Sequence, residues 1–278
     1  MIRSIRARRA LAGPAALLAL AVIVFSVLFM TTSTAHGQQA LVSTNPNDIA
    51  AGSVLYQEHC QSCHGYQGEG GVVKGAPALV NVGAAAADFY LSTGRMPLNA
   101  PNNEALRNRP AFNQSEIRQL VAYVNALPQI TGIGQAGPTI PTVQPLCSDQ
   151  TTPTTTAENC VTLAEGQQLY AINCQQCHQA AGSGGMLSKG NVIPSLRNAT
   201  LVQAAEAPLI GPKPMPMFKE LTPHELSAIA HYVQYLHHPD SPGGAGISYF
   251  GPVAEGFVGI LVGFVVLWFA SRMIGTRG

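Results

Sequence analysis

The sequence predicts an all-α protein in which two similar domains lie between two apolar terminal segments. Three observations predict this architecture. The pentapeptide Cys-x-x-Cys-His occurs twice, at positions 60–64 and 174–178. The same order of segments surrounds each copy, with helically spaced apolar residues before and after it. Uncharged apolar stretches stand near both ends of the 278-residue chain, which is long enough for two domains of roughly 100 residues.

The composition favours an exported protein attached to a membrane. Charged residues make up only 10% of the chain, against about a quarter in a typical soluble globular protein. The formal net charge of +1 gives no reason to expect nucleic-acid binding. Four of the six cysteines belong to the pentapeptides, which leaves Cys147 and Cys160. A leftover cysteine pair is typical of the oxidising side of a membrane.

The N-terminal segment, residues 1–35, places four arginines ahead of an apolar run from about Leu11 to Met30. Roughly 20 apolar residues can cross a bilayer, and positive charge ahead of them places the N-terminus in the cytoplasm. Ser33 to Ala35 also resembles a small-x-small cleavage site, so the segment is either a retained anchor or a removed signal peptide. Both interpretations export the residues that follow.

The first domain is predicted over residues 45–128. Asn47 or Asp48 is expected to cap a helix that leads into the first pentapeptide. A glycine-rich loop follows that motif, and Asn113 then caps a closing helix with Glu116 three residues on. The apolar residues of the closing helix have helical spacing: Ile117, Leu120, Val121, Val124 and Leu127.

Residues 129–160 are rich in proline, threonine and glycine and are predicted to form a linker. Within it we expect Cys147 and Cys160 to form a disulfide that stiffens a segment without a core of its own. Two unpaired thiols are the alternative. The second domain, residues 161–240, then repeats the order of the first, from an opening helix to a closing helix that begins at Thr222.

The C-terminal segment, residues 253–274, is predicted to be a transmembrane helix. Its uncharged core runs from Phe257 to Ala270, and Arg272 can extend its charged group to the membrane surface. Trp268 suits the same interface. A buried core helix is the alternative, but no remaining domain could bury it. The arginines at the end place the C-terminus in the cytoplasm.

The repeated pentapeptide is the attachment signature of c-type haem. Two thiols on one helical turn bind the two vinyl groups of the haem, and the histidine that follows binds the iron. A zinc site or a redox dithiol could explain one copy, but two copies in equivalent contexts argue against both. The predicted covalent attachment residues are Cys60, Cys63, Cys174 and Cys177, and the predicted proximal ligands are His64 and His178.

Methionine is the predicted sixth ligand of each iron, because a thioether opposite an imidazole favours the reduced state. Met96 is the only methionine after the motif in the first domain, and a proline follows it. Met215 repeats that Met-Pro pair in the second domain, with Met217 as the alternative. Met186 lies too close behind the motif to cross the haem. Histidine ligation by His224 or His231 is a further alternative.

One proline between each motif and its methionine is predicted to mark the support of the proximal histidine. A metal-bound histidine usually donates its free ring N–H to a carbonyl or carboxylate. We expect the backbone carbonyls near Pro77 and Pro194 to accept these hydrogen bonds. Ordinary turn prolines are the alternative.

The chain resembles class I cytochromes c, small all-α domains that each surround one haem. Two further stretches, residues 92–97 and 250–256, resemble the dihaem cytochrome c subunit (cytochrome cc) of the actinobacterial cytochrome bc1 complex. The resemblance extends from about Ala50 to the end of the chain, and the linker departs from the family.

The resemblance implies a subunit of menaquinol–cytochrome c reductase, a translocase, with two covalently bound haem c groups and no independent catalytic site on this chain. It implies a cytochrome b subunit, a Rieske iron–sulfur protein and an aa3-type cytochrome c oxidase as partners in the cell membrane. The first haem would face the Rieske protein and the second the oxidase. With a retained N-terminal helix the chain would be multi-pass, with its haem domains extracytoplasmic.

Two other functions compete with this one. A membrane-anchored dihaem carrier could serve a cbb3-type oxidase or a periplasmic dehydrogenase, although such carriers typically lack the C-terminal helix. A dihaem peroxidase would need an open iron position with an acid–base residue beside it, and both Met-Pro pairs argue against open iron.

Overall fold

The computed structural model describes residues 42–101, 103–147, 159–187, 190–239 and 252–275. Within these ranges the protein is all-α, as predicted, apart from one two-residue antiparallel hairpin. The predicted N-terminal anchor or signal, residues 1–35, lies outside the described residues. The helices are α1 (Pro46–His59), α2 (Gln61–His64), α3 (Gly83–Ser92), α4 (Gln114–Thr131), α5 (Leu163–Asn173), α6 (Gln175–His178), α7 (Leu201–Ile210), α8 (Pro223–Tyr235) and α9 (Pro252–Gly275), and the strands are β1 (Gly185–Met186) and β2 (Val192–Ile193).

Helices α1 and α4 form the frame of the first domain. The side chain of Asn45 caps α1 by accepting a hydrogen bond from the backbone N–H of Asn47, so the cap lies two residues before Asn47, the first of the two predicted caps. The reason is Pro46, whose fixed φ and missing N–H suit the first helical position. Helix α4 starts with the predicted capping box of Asn113 and Glu116. It continues past Pro128 to Thr131.

Each domain has its own apolar core, built from equivalent residues. In the first domain Tyr56 of α1 packs against Tyr123 of α4, with ring centroids 5.2 Å apart. In the second domain Tyr170 of α5 packs against Tyr232 of α8 at 5.3 Å. Helix α3 covers the first core and helix α7 the second. The predicted internal repeat is therefore a repeat of packing as well as of sequence.

A glycine lets the two long helices of each domain approach closely. A Cβ atom added at Gly52 would lie 2.0 Å from the carbonyl oxygen of Gln119, and one added at Gly166 would lie 2.2 Å from that of Ala228. Real Cβ atoms do not approach backbone oxygens this closely, so any side chain here would push the helices apart.

We expect Gly52→Ala to lower the free energy of unfolding by roughly 1–3 kcal/mol, the usual cost of overpacking a core. The clash is with backbone, so no side-chain rotation can relieve it. The measurement is the guanidinium unfolding midpoint of the haem-loaded protein. Ser53→Ala is the control, because the exposed Ser53 hydroxyl donates its hydrogen bond to Ala50 O of the same helix. Equal midpoints for the two variants would contradict the close-packing argument.

The segment between the domains packs on both of them. On the first domain, the backbone N–H of Ala85 donates to Pro138 O (3.0 Å) and that of Gln135 to Asn81 Oδ1 (2.8 Å). Further along, Gln144 contacts α8 of the second domain through His224 and His231. A disulfide joins Cys147 and Cys160, and the backbones of Leu146 and Val161 form a β-bridge beside it.

Helix α9 is the one helix among the described residues that is long and apolar enough to cross a membrane. Its apolar stretch, Gly256–Ile274, has 19 residues, and none of it is buried in the protein. Near its end the Arg272 guanidinium lies 5.3 Å from the ring centroid of Trp268. This pairing suits a membrane interface, where aromatic and basic side chains meet the headgroups.

Candidate haem sites

Each Cys-x-x-Cys-His motif forms one short helical turn directly after a longer helix. Helix α1 ends at His59 and α2 begins at Gln61, with Cys60 between them. The carbonyl of Cys60 accepts hydrogen bonds from the N–H groups of Cys63 (3.1 Å) and His64 (3.0 Å). Cys174 does the same for Cys177 (3.1 Å) and His178 (2.9 Å). Both motifs therefore hold two thiols and one imidazole on a single turn.

The proximal histidine of each motif is oriented by a backbone carbonyl. His64 Nδ1 donates to Pro77 O at 2.8 Å, and His178 Nδ1 donates to Pro194 O at 3.1 Å. These are the two positions that the sequence predicted as supports. Because Nδ1 carries the proton, Nε2 carries the free lone pair that a metal requires. This hydrogen bond also fixes the orientation of the ring.

A buried tyrosine holds the chain immediately after each motif. The Tyr56 hydroxyl donates to Gly65 O at 2.8 Å, and the Tyr170 hydroxyl donates to Gln179 O at 2.7 Å. Each carbonyl belongs to the residue that follows the proximal histidine. The two tyrosines thus pack between helices and also fix the backbone where the chain leaves the motif.

Burial shifts the pKa of three motif residues. It raises the pKa of Cys60 and of Cys174 to about 11, and the neighbouring thiol of each motif adds to the effect. Before haem attachment both side chains are therefore thiols at neutral pH. Burial also lowers the pKa of His178, against the opposing effect of its hydrogen bond to Pro194. Its imidazole is therefore neutral, as iron binding requires.

The methionines differ in exposure. Met96 is partly buried against the core of the first domain, and its N–H donates to Tyr90 O at 3.1 Å. Met215 is also partly buried, whereas 53% of the surface of Met217 and 75% of that of Met186 are exposed. The burial of Met96 and Met215 is consistent with their predicted role.

The histidines that were considered as alternative ligands are engaged elsewhere. His224 contacts Gln144 Oε1 (2.8 Å) through Nδ1 and Glu165 Oε2 (3.1 Å) through Nε2. His231 Nε2 donates to Gln144 O at 2.8 Å. These two side chains attach the interdomain segment to the second domain, which sequence reasoning did not foresee.

The donor sets fit a covalently bound haem. Each domain offers two thiols and an imidazole on one turn, with the imidazole fixed through Nδ1 and its Nε2 left for iron. Each also offers a partly buried methionine later in the chain. Within the described residues, no group of three or more histidine, cysteine or acidic side chains forms another metal site. A zinc centre of the ordinary four-ligand kind therefore has no support in the described part of the chain.

The two haem domains contact each other, which was not predicted from the sequence. Helix α3 of the first domain packs against helix α7 of the second. Gln203 Nε2 donates to Ser92 Oγ at 3.0 Å, and Arg107 Nη2 donates to Gln203 Oε1 at 2.9 Å. Arg107 also donates to Asn198 O. A polar residue in a mostly apolar helix, such as Gln203 in α7, was the signal that could have located this contact.

Comparison with known families agrees with this domain structure. Residues 49–128 match the family model described as "Cytochrome c". Residues 161–233 match the model described as "Cytochrome C oxidase, cbb3-type, subunit III". Cytochrome c domains carry covalently bound haem c, so the chain holds two such groups, one in each domain.

Curated relatives match the chain over nearly its whole length. A protein from Mycobacterium tuberculosis is 32% identical over 98% of this chain and 93% of its own length. One from Corynebacterium diphtheriae is 32% identical over 99% and 98%, and one from Mycobacterium leprae is 31% identical over 90% and 87%. All three are named cytochrome bc1 complex cytochrome c subunit. Identity at this level over this length shows that the chain belongs to the family of cytochrome c subunits of the cytochrome bc1 complex.

Proposed function

We propose that this subunit relays electrons from the Rieske iron–sulfur protein, through its two haem c groups, to an aa3-type cytochrome c oxidase. The observation that carries the proposal is the whole-chain similarity to bc1 complex subunits in a chain with two haem-binding motifs. Haem c supplies a one-electron carrier whose potential depends on its axial ligands. The chain itself positions that carrier.

The proposed ligands follow from the two donor sets. In the first domain the thiols of Cys60 and Cys63 attach the haem, and His64 and Met96 are the axial ligands. In the second domain Cys174 and Cys177 attach the haem, and His178 and Met215 are the axial ligands. The hydrogen bonds to Pro77 O and Pro194 O support the histidines.

In this proposal the chain works at the cell membrane as part of a larger enzyme. Its partners are a cytochrome b subunit and the Rieske protein, and the assembly is a quinol–cytochrome c reductase of the translocase class. Helix α9 spans the membrane with its arginine-containing end in the cytoplasm, so the haem domains lie on the extracytoplasmic side. A retained N-terminal helix would make the chain multi-pass. Anchoring keeps the haems at a high effective concentration beside their partners.

The experiment is purification through a tag on this chain in mild detergent, followed by a reduced-minus-oxidised spectrum. We expect b-type and a-type haem bands to accompany the c-type band. A c-type band alone, under the gentlest extraction, would contradict a relay fixed between a quinol-oxidising complex and an oxidase.

A second candidate is an anchored dihaem carrier that serves a cbb3-type oxidase or a dehydrogenase. The observation that favours it is the match of residues 161–233 to the cbb3-type subunit III model. That match covers one domain, whereas the bc1 subunits match both domains together with the C-terminal helix. A spectrum with c-type haem alone would favour this second function.

A further inference from the structure

The contact between the domains brings together two acidic residues from equivalent places in the repeat. Asp88 is the sixth residue of α3 and Glu206 is the sixth residue of α7. The two helices pack against each other, and the Asp88 carboxylate is the neighbouring charge that raises the pKa of Glu206. The internal repeat therefore places one carboxyl from each haem domain at the same contact.

Glu206 is buried without a hydrogen-bond donor. Glu206 is 0% exposed, and among the described residues neither of its carboxylate oxygens has a hydrogen-bond partner. An ionised carboxylate can only accept hydrogen bonds. Asp88 and Glu206 therefore cannot bond to each other while both are charged. A buried carboxylate beside a second, partly buried one is also costly, because desolvation and like-charge repulsion act together.

A single proton removes both costs. A protonated carboxyl has an O–H donor, so the protonated member can donate to the ionised one, and one negative charge is eliminated. Burial and the neighbouring Asp88 carboxylate raise the pKa of Glu206 to about 10. Burial also raises the pKa of Asp88, whereas a hydrogen bond donated by a protonated Glu206 lowers it. These directions favour Glu206 as the protonated member and Asp88 as the acceptor.

Other polar contacts join the same two domains near the pair. Gln203, three residues before Glu206 on α7, bonds to Ser92 of α3. The charged groups on this side of the first domain are Arg107, which bonds to Gln203, and Arg95, which interacts electrostatically with Arg107. Among the described residues, no cation bonds to Glu206. A proton is therefore the available means of neutralising the second carboxylate.

We propose that Asp88 and Glu206 share one proton across the contact between the haem domains, and that this bond is a positioning device for electron transfer between the haems. The proposal rests on the two haem domains of this chain and not on the identity of its partners. With the domains docked, the pair holds a proton that two solvated carboxylates would release at neutral pH. The protein thereby gains a specific interdomain bond that exists only in its protonated form.

The sign of the pH dependence follows from proton binding. The docked pair binds one more proton than the separated pair at pH values between the ordinary pKa of glutamate, 4.5, and about 10. The shared proton contributes its full free energy to docking below pH 4.5, and this contribution is lost as the pH rises toward about 10. The docking equilibrium should weaken by at most about tenfold for each pH unit, since one proton is involved.

The test measures the distance between the two ferric haem irons by pulsed electron paramagnetic resonance on the full-length, haem-loaded protein. We expect one narrow distance distribution near neutral pH and a broadened one toward about pH 10, as the shared proton is lost. Glu206→Gln supplies an amide N–H donor that does not titrate, so its distribution should stay narrow across the range. Glu206→Ala leaves Asp88 without a partner and should broaden the distribution already at neutral pH.

Infrared spectroscopy supplies a second readout. The wild-type protein should show a carboxylic acid C=O band at neutral pH that disappears in Glu206→Gln. Asp88→Asn is the second variant if Glu206→Gln fails to bind both haems, and it should also keep a narrow distribution across the pH range. Alkaline broadening in Glu206→Gln equal to that of the wild type would overturn the proposal, as would a wild-type spectrum without that band.

Discussion

Replacing Cys60 and Cys63 by serine is expected to halve the covalent haem of the protein. Both thiols lie on the turn of α2 beside His64, so without them the first domain has no covalent attachment point. The second domain has its own motif and its own core and should keep its haem. The measurement is haem content per chain by the pyridine haemochrome method, with haem staining after denaturing electrophoresis.

The reciprocal variant and a matched control make this result specific. Replacing Cys174 and Cys177 by serine should remove the other haem and leave the first. Replacing Cys147 and Cys160, the disulfide pair, should leave both haems attached, because those cysteines lie outside the motifs. Retention of both haems in either motif variant would contradict the assignment.

Replacing Met215 by leucine is expected to lower the reduction potential of one haem by roughly 0.1–0.3 V, within the range of about 0.8 V that axial ligands span. A thioether stabilises reduced iron, and leucine offers no ligand in its place. The open position should bind carbon monoxide in the reduced protein. Redox titration and the carbon monoxide difference spectrum are the measurements, and the long-wavelength methionine–iron charge-transfer band should weaken.

Met217→Leu is the matched control, since Met217 lies two residues away and is 53% exposed. We expect it to leave both potentials and the charge-transfer band unchanged. The opposite pattern, a shift in Met217→Leu and none in Met215→Leu, would transfer the axial role to Met217.

Features that depend on neighbouring residues were predictable from the sequence. The haem motif is local, because three donors on one turn need only the spacing Cys-x-x-Cys-His. The capping box of Asn113 and Glu116 is equally local. Helix α1 starts earlier than predicted, because Asn45 followed by Pro46 is a better start of a helix than Asn47.

Features that depend on contacts between distant segments could not be predicted from local patterns. Gln144 meets His224 and His231 only because the interdomain segment folds back onto α8. Asp88 and Glu206 meet because α3 and α7 pack together. Each is the single acidic residue of a mostly apolar helix. A carboxylate on such a helix is costly to bury alone, so each of these residues indicated that a partner exists. The sequence did not show which residue that partner is.

In the proposed relay, both haems of this chain are needed to carry electrons from quinol to oxygen. This need is measured as quinol-driven oxygen consumption by membranes from cells in which the chain is deleted and then restored. We expect the full-length chain to restore consumption, and neither single-haem variant to do so, even at a wild-type level of protein. Sustained oxygen consumption with the serine variant of either motif would contradict the relay, because electrons would then reach the oxidase through one haem or by another route.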